Sequence, residues 1–140
     1  MKSAALPVTM AWLYLALVFA QALHSLEEIC TGLWRQLSIV TAAMHARNAA
    51  IPVKQTNERE FTAANLLIVL AMAALLPFRF CRHPWAMNVA AGVAAVEVIN
   101  GSLHVAEAVA AGGYFPGVLS GTLVLLCAGA YLVDACRKRR

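Results

Sequence analysis

The chain has 140 residues, 61% of them hydrophobic and only 13% charged, with a mean hydropathy of +0.70. Soluble domains lie nearer about 45–50% apolar and about 25% charged, so this composition excludes a soluble globular fold, a disordered chain and a nucleic-acid-binding surface. The net charge of +4 does not argue otherwise, because Arg137, Lys138, Arg139 and Arg140 form one basic cluster, which reads as a membrane flank. At roughly 20 apolar residues per crossing, one domain of this length has room for about four spanning helices.

Taken in chain order, four stretches lack Asp, Glu, Lys and Arg or nearly so. The first runs from Ser3 to Leu26 and the second from Phe61 to Phe78. The third starts near Trp85 and is interrupted by Glu97. The fourth follows the Gly112–Gly117 turn and stops before Asp134. These predict spans at about 5–26, 61–78, 85–107 and 117–134 in a single integral-membrane domain, 1–140. Strict alternation is absent, so the expected fold is an all-α four-helix transmembrane bundle and not a barrel. Ala20-Gln21-Ala22 resembles an export-signal cleavage site, but the apolar run before it is long for such a signal.

Lys2, the Arg79/Arg82 turn and the Arg137–Arg140 tail fall on one side of such a bundle. The positive-inside rule then puts both termini in the cytoplasm, with a bacterial inner membrane as the expected location. Arg35, Arg47, Lys54 and Arg59 in the first outer loop pull the other way, beside Glu58 and Glu60. In that loop Trp34, Leu37, Ile39, Val40 and Met44 could line one side of a short interfacial helix before Pro52 stops it. It would be either a lid over the outer ends of the spans or an ordinary re-entry loop. Cys30, Cys81, Cys127 and Cys136 form no CxxC pair and are expected to be free thiols. No Gly-rich phosphate loop, nucleophile elbow or HExxH occurs.

The informative residues are the ionisable ones within the apolar spans, each costing about 2.5–3.5 kcal/mol at mid-membrane even on lenient scales. Glu97, Asn100, His104 and Glu107 are spaced by three, four and three, which places them on one helical stripe. Gln21, His24 and Glu28 make a second stripe on the first helix, with Glu27 beside it. Burying both requires that they face each other. Helices one and three run the same way, so both HxxE units sit toward the outer leaflet, with Glu97 about 10 Å deeper. Thr62, Asn65, Ser120 and Thr122 make the outer ends of the other two spans polar as well. The outer half of the bundle is thus expected to be polar inside and the inner half almost wholly apolar. Interhelical hydrogen bonding alone would be met more cheaply by Ser, Thr and Asn.

Two chemistries fit this inventory. Apolar surroundings favour a neutral carboxyl group, so Glu97 is the expected acid, with His104 and His24 as proton partners and Glu27, Glu28 and Glu107 completing the shell. Asn100, Gln21, Asn65 and Tyr114 are the expected substrate contacts. The substrate would be a lipophilic, isoprenoid- or lipid-like molecule undergoing isomerisation or cyclisation. Alternatively His24, Glu27, Glu28, Glu97, His104 and Glu107 are ligands of a divalent metal (Fe, Mn or Zn), one pair per ion in a dimetal carboxylate site for redox or hydrolytic chemistry. Against the dimetal version, the pairs read HxxE where that family reads ExxH, and only two helices supply ligands. A third class is a transporter subunit for a small cation or metabolite, which would need a homodimer to alternate access. The expected partners are therefore the lipid bilayer and a hydrophobic small molecule, and no nucleic acid.

The HSLEE of His24–Glu28, the Asn100-x-x-x-His104 spacing and the Tyr114-Phe115-Pro116-Gly117 turn together resemble the HXXEE-domain family of small bacterial membrane proteins. The resemblance implies that His24, Glu27 and Glu28 fill the naming motif and that His104 is the second histidine. That family carries no assigned activity, so the likeness supports a site without specifying a reaction. In architecture only, the chain is also similar to sterol-isomerase-like membrane proteins, which use buried Glu and His on apolar substrates.

Overall fold

A computed structural model describes residues 6–53 and 55–139, without the side chains of 6–8, 40, 138 and 139. Lys2, Lys54 and Arg140, used in the topology argument, lie outside the described residues. Among those residues the secondary structure is all helical: α1 (Leu6–Thr31), α2 (Leu33–Arg47), α3 (Glu58–Ala74), α4 (Leu76–Phe80), α5 (Pro84–Ala111) and α6 (Val118–Arg139). Four segments are long and apolar enough to cross a membrane: Thr9–Thr31, Glu58–Phe80, Pro84–Ala111 and Val118–Arg137. The chain is therefore an integral-membrane, all-α four-span bundle.

The helix ends follow from local chemistry. Asn57 caps α3 by accepting the Glu60 N–H at 2.9 Å, so this helix begins three residues before the apolar run, with Glu58 and Glu60 in its positive first turn. Pro77 has no N–H and crowds the carbonyl four residues back, which separates α3 from α4 at Leu75. Pro84 opens α5 at its first position. Gly112 closes α5 at φ 65°, donating to Val109 while Gly113 donates to Ala108, the paired bonds of a Schellman end. The first helix does not stop at Leu26: it carries Glu27 and Glu28 on to Thr31, because both carboxylates find partners. Gly32, at φ 69°, then turns the chain into α2, which ends at Asn48, before Pro52 is reached. Pro116 does not itself open the last helix, since Gly117 at φ 86° intervenes and α6 starts at Val118.

α6 packs along both α1 and α5, whereas α3 and α4 lean on α1. The contact face of α5 is built from small residues, Ala86, Ala90 and Ala94, all with no exposed surface, followed by Gly101. Ala90 and Ala94 join Tyr14 and Leu17 of α1 and Val124, Ala128 and Tyr131 of α6 in one apolar core. Between lipid-embedded helices, such small residues allow the close approach that dispersion requires. The inner half is not wholly apolar: Arg79 of α4 is buried with its guanidinium 5.6 Å from the Tyr131 ring, and Tyr14 donates to the Met72 carbonyl at 3.2 Å. Being in the turn beside Arg82, Arg79 reads in sequence as a flanking charge, but its long stem lets the head reach under the bundle.

At Gly101, α5 lies almost against the α6 backbone. A Cβ there would fall 2.5 Å from the Gly121 carbonyl oxygen and 2.9 Å from Leu125 Cβ, while one at Gly92 would meet nothing within 4 Å. Gly101→Ala is expected to destabilise the bundle by about 1–3 kcal/mol and Gly92→Ala to be neutral or mildly stabilising. Thermal unfolding of the two variants in detergent, followed by circular dichroism, checks the difference.

Candidate functional site

The naming histidine of the HSLEE segment, His24, has no exposed surface, and Glu28 lies one turn further along the same face of α1. From α5, His104 reaches the same point. Its Nε2 is 3.0 Å from Glu28 Oε1, and His24 Nε2 is 3.2 Å from that same oxygen. The two rings meet edge to face at 4.6 Å. This convergence depends on α6: a Cβ at Gly117 would lie 2.7 Å from His104 Cε1 and 3.0 Å from His24 Cε1, and one at Gly121 would press on both rings. Gly117 and Gly121 thus provide the flat backing against which the imidazoles lie.

The far nitrogen of each ring is fixed by a second partner. His104 Nδ1 is 2.8 Å from the Pro116 carbonyl oxygen, which can only accept, so Nδ1 carries the proton. His24 Nδ1 is 3.1 Å from Ser120 Oγ, whose own hydrogen goes to Glu27 Oε2, so this ring also donates from Nδ1. With each Nδ1 engaged elsewhere, both rings turn Nε2 toward the same carboxylate oxygen. His24 Nε2, though this close to Glu28, makes no hydrogen bond.

Glu27 and Glu28, adjacent in sequence, have separate tasks. Glu27 takes the Ser120 N–H at 2.8 Å as well as the Ser120 hydroxyl, and the Tyr114 hydroxyl donates to its other oxygen at 2.7 Å. It thereby caps the positive first turn of α6 from a different helix. Tyr114 is exposed and belongs to this cap, not to a cavity wall. Burial, slight as it is, and the bond to Glu27 push its hydroxyl above the ordinary value of 10.0.

Glu97 is buried at the middle of α5, and Asn100 donates to its Oε2 at 3.4 Å. Among the described residues no Lys or Arg pairs with it. It occupies the wall shared by two cavities between α3 and α5. One, of about 550 Å³, is lined by Gln21, Glu28, Asn65, Glu97 and Asn100 together with Phe61 and Leu37. The other, of about 500 Å³, is lined otherwise by apolar side chains, among them Ile68, Met72, Val89 and Val93. A third, of about 310 Å³, connects Glu28 and His104 to Glu107. Glu107 itself is exposed. The buried stripe of α5 follows Glu97, Gly101 and His104, and a step of three from His104 leaves Glu107 about 60° off that line.

The structure thus brings together His24, Glu28 and His104, with Glu27 and Tyr114 behind them, and sets Gln21, Asn65, Glu97 and Asn100 around the adjoining cavity. It does not form two His/Glu pairs: among the described residues one cluster, His24, Glu28 and His104, places its ligand atoms within 4.8 Å of one another. From the loop, α2 contributes Leu33 and Leu37 to the cavity walls, with Thr56 tied to Ser38 at 3.4 Å. Ile39 and Met44 stay exposed. Sequence reasoning missed the parts played by Ser120, Pro116 and Gly117. The signals in sequence were the glycines and Pro116 of the α5–α6 turn and the polar Ser120 at the outer end of the fourth span.

The fold and site define a small membrane-spanning helical bundle with a buried histidine–carboxylate centre. The chain matches the family described as "Protein of unknown function with HXXEE motif" over residues 14–132, and it belongs to that family. The match takes in all three named motif residues and His104. No curated protein and no solved structure matches the chain.

Ser120 links Glu27 to His24, so Ser120→Ala leaves a fully buried Nδ1–H without its acceptor. The expected loss is about 1–3 kcal/mol, read as a lower unfolding temperature; a temperature equal to wild type would show that the ring is held otherwise. For Tyr114, a raised folded pKa means its contribution is intact below pH 10.0 and lost as pH climbs through the folded value. Ultraviolet titration should find this phenol ionising above its ordinary value in wild type and closer to that value in Glu27→Gln, with Tyr114→Phe identifying the signal.

Proposed function

We propose that this protein is an enzyme of the membrane, acting by proton transfer on a lipophilic, isoprenoid- or lipid-like molecule that enters between α3 and α5. The observation that carries this reading is Glu97, a buried carboxyl group at the junction of a polar cavity and an apolar one. A substrate with a long apolar part would lie along Ile68, Met72 and Val93 and bring its reacting end to Glu97. Small-molecule sites have this make-up, mostly apolar with a few convergent polar groups. The cleft's rim, with Ile68, Val89, Val96 and Ile99 exposed, faces hydrocarbon, so such a substrate need never cross water. With both termini cytoplasmic in a bacterial inner membrane, the polar cavity would open toward the outer leaflet.

In an isomerisation Glu97 gives its proton to one carbon of a double bond, and a neighbouring C–H gives one to the Glu28 pole across the cavity. The two steps balance without a co-reactant. Both carboxyl groups line the same cavity, through which the proton can return to Glu97. Asn100 holds Glu97 in place, while Gln21 and Asn65 flank the polar end.

A positioned general acid contributes about 10²–10⁴-fold, so Glu97→Gln should lower conversion by at least roughly 100-fold with the fold intact. Solvent extracts of membranes containing wild type or Glu97→Gln, compared by liquid chromatography and mass spectrometry, test this. The expected result is a lipophilic species of unchanged mass and altered retention, present only with wild type. Identical extracts from the two, with both proteins folded in the membrane, would remove the proposal.

A further inference from the structure

We infer that His24, Glu28 and His104 bind one divalent transition-metal ion, with Ser120 and the Pro116 carbonyl as the groups that aim its ligands. The tautomers are the starting point. Each Nδ1–H is engaged away from the cluster, so both Nε2 atoms and a carboxylate oxygen converge on one small volume, the oxygen 3.0 and 3.2 Å from the two nitrogens. Three acceptors so close repel unless a positive charge sits among them. A single proton satisfies one nitrogen at a time; a metal ion accepts all three lone pairs together. His24 Nε2, with no exposed surface on its residue and no hydrogen bond, is the donor a proton leaves unused.

The distances suit an ion. Ligands at about 2.0–2.1 Å from a tetrahedral centre stand roughly 3.3 Å apart, close to the two nitrogen–oxygen separations here. The surroundings suit it too. Ligating histidines characteristically donate their other N–H to a carbonyl or a carboxylate-linked group, which fixes tautomer and ring orientation. His104 does so to Pro116, and His24 does so through Ser120 to Glu27. Two imidazoles and one carboxylate favour Zn(II), Fe(II) or Mn(II) over Ca²⁺ and Mg²⁺, which prefer all-oxygen shells. The cavity joining Glu28 and His104 to the exposed Glu107 gives a cation an acidic route in from water.

Three protein ligands leave a fourth position for water or substrate, on the side where Glu28 lines the cavity. The inference deepens the proton-transfer reading, because a water held at that open position would have its pKa lowered by the ion and, once deprotonated, would be the base that takes the substrate proton at the Glu28 pole. Binding itself stands on the donor geometry and does not need the reaction. Glu97 supplies no ligand.

The test is equilibrium dialysis of tag-free, chelator-stripped protein in detergent against Zn(II), followed by elemental analysis. Wild type should take up one ion per chain, unaffected by excess Mg²⁺. Glu28→Gln and His104→Ala should lose it, and Glu97→Gln should keep it. Ser120→Ala, which leaves every ligand in place, should bind about 10–100-fold more weakly. Loaded with Co(II), wild type should show the intense visible bands of a tetrahedral site, which reads the coordination without relying on variants. Folded wild type that retains no ion, uptake unchanged in the ligand variants, or only the pale spectrum of hydrated Co(II) would overturn the inference. Retention of zinc by a Glu97→Gln protein whose lipid extracts match wild type would sink the proton-transfer reading alone.

Discussion

Imidazoles and carboxylates cannot face hydrocarbon without a cost of several kcal/mol, and here three of them lie at one level of the bundle. Meeting one another is the inexpensive solution, and it dictates much of the architecture. Glu28 can reach His24 along its own helix, but reaching His104 requires α1 and α5, each packed on α6, to converge at this level. α6 is the antiparallel neighbour of both, and it can serve only because Gly117 and Gly121 leave space for the rings. The small-residue face of α5, Ala86 through Gly101, extends that close fit toward the other end.

The two adjacent acids of the motif illustrate how a helix distributes function by angle. Glu27 and Glu28 are about 100° apart around α1, so they look at different neighbours. Glu28 turns to the histidines. Glu27 turns to the N-terminal turn of α6, where free N–H groups and the helix dipole hold a carboxylate. The motif is therefore one centre and its brace, joined through Ser120. This explains why a histidine buried without any exposed surface still has a defined tautomer.

The cleft between α3 and α5 adds a different kind of asymmetry. Its upper part is bounded by Gln21, Asn65 and Asn100, and its lower part by aliphatic side chains, with Glu97 between. A charged centre at one end and a lipid-facing channel at the other is the arrangement a site for amphiphilic or lipophilic molecules needs. Whether the positive charge at the Glu28 pole is a proton or an ion, the same three lone pairs attract it.

Four spans, their helical nature and the polar stripes were legible in sequence, because apolar run length and a period of 3.6 are local properties that lipid enforces on each helix separately. His24, Glu28, His104 and Glu97 could be singled out for the same reason: ionisable groups stand out against hydrocarbon. Which of them meet was decided only in the tertiary structure. Equal spacing put Glu107 on the stripe with His104, yet the crossing at Gly101 rotated it out to the surface. Two His/Glu pairs became one shared centre, since a single oxygen of Glu28 faces both rings. Arg79 turned inward, and Ser120 and Pro116 entered the site from the α5–α6 turn. Each of these depends on where one helix backbone touches another, and that position is set by close packing among residues far apart in the chain.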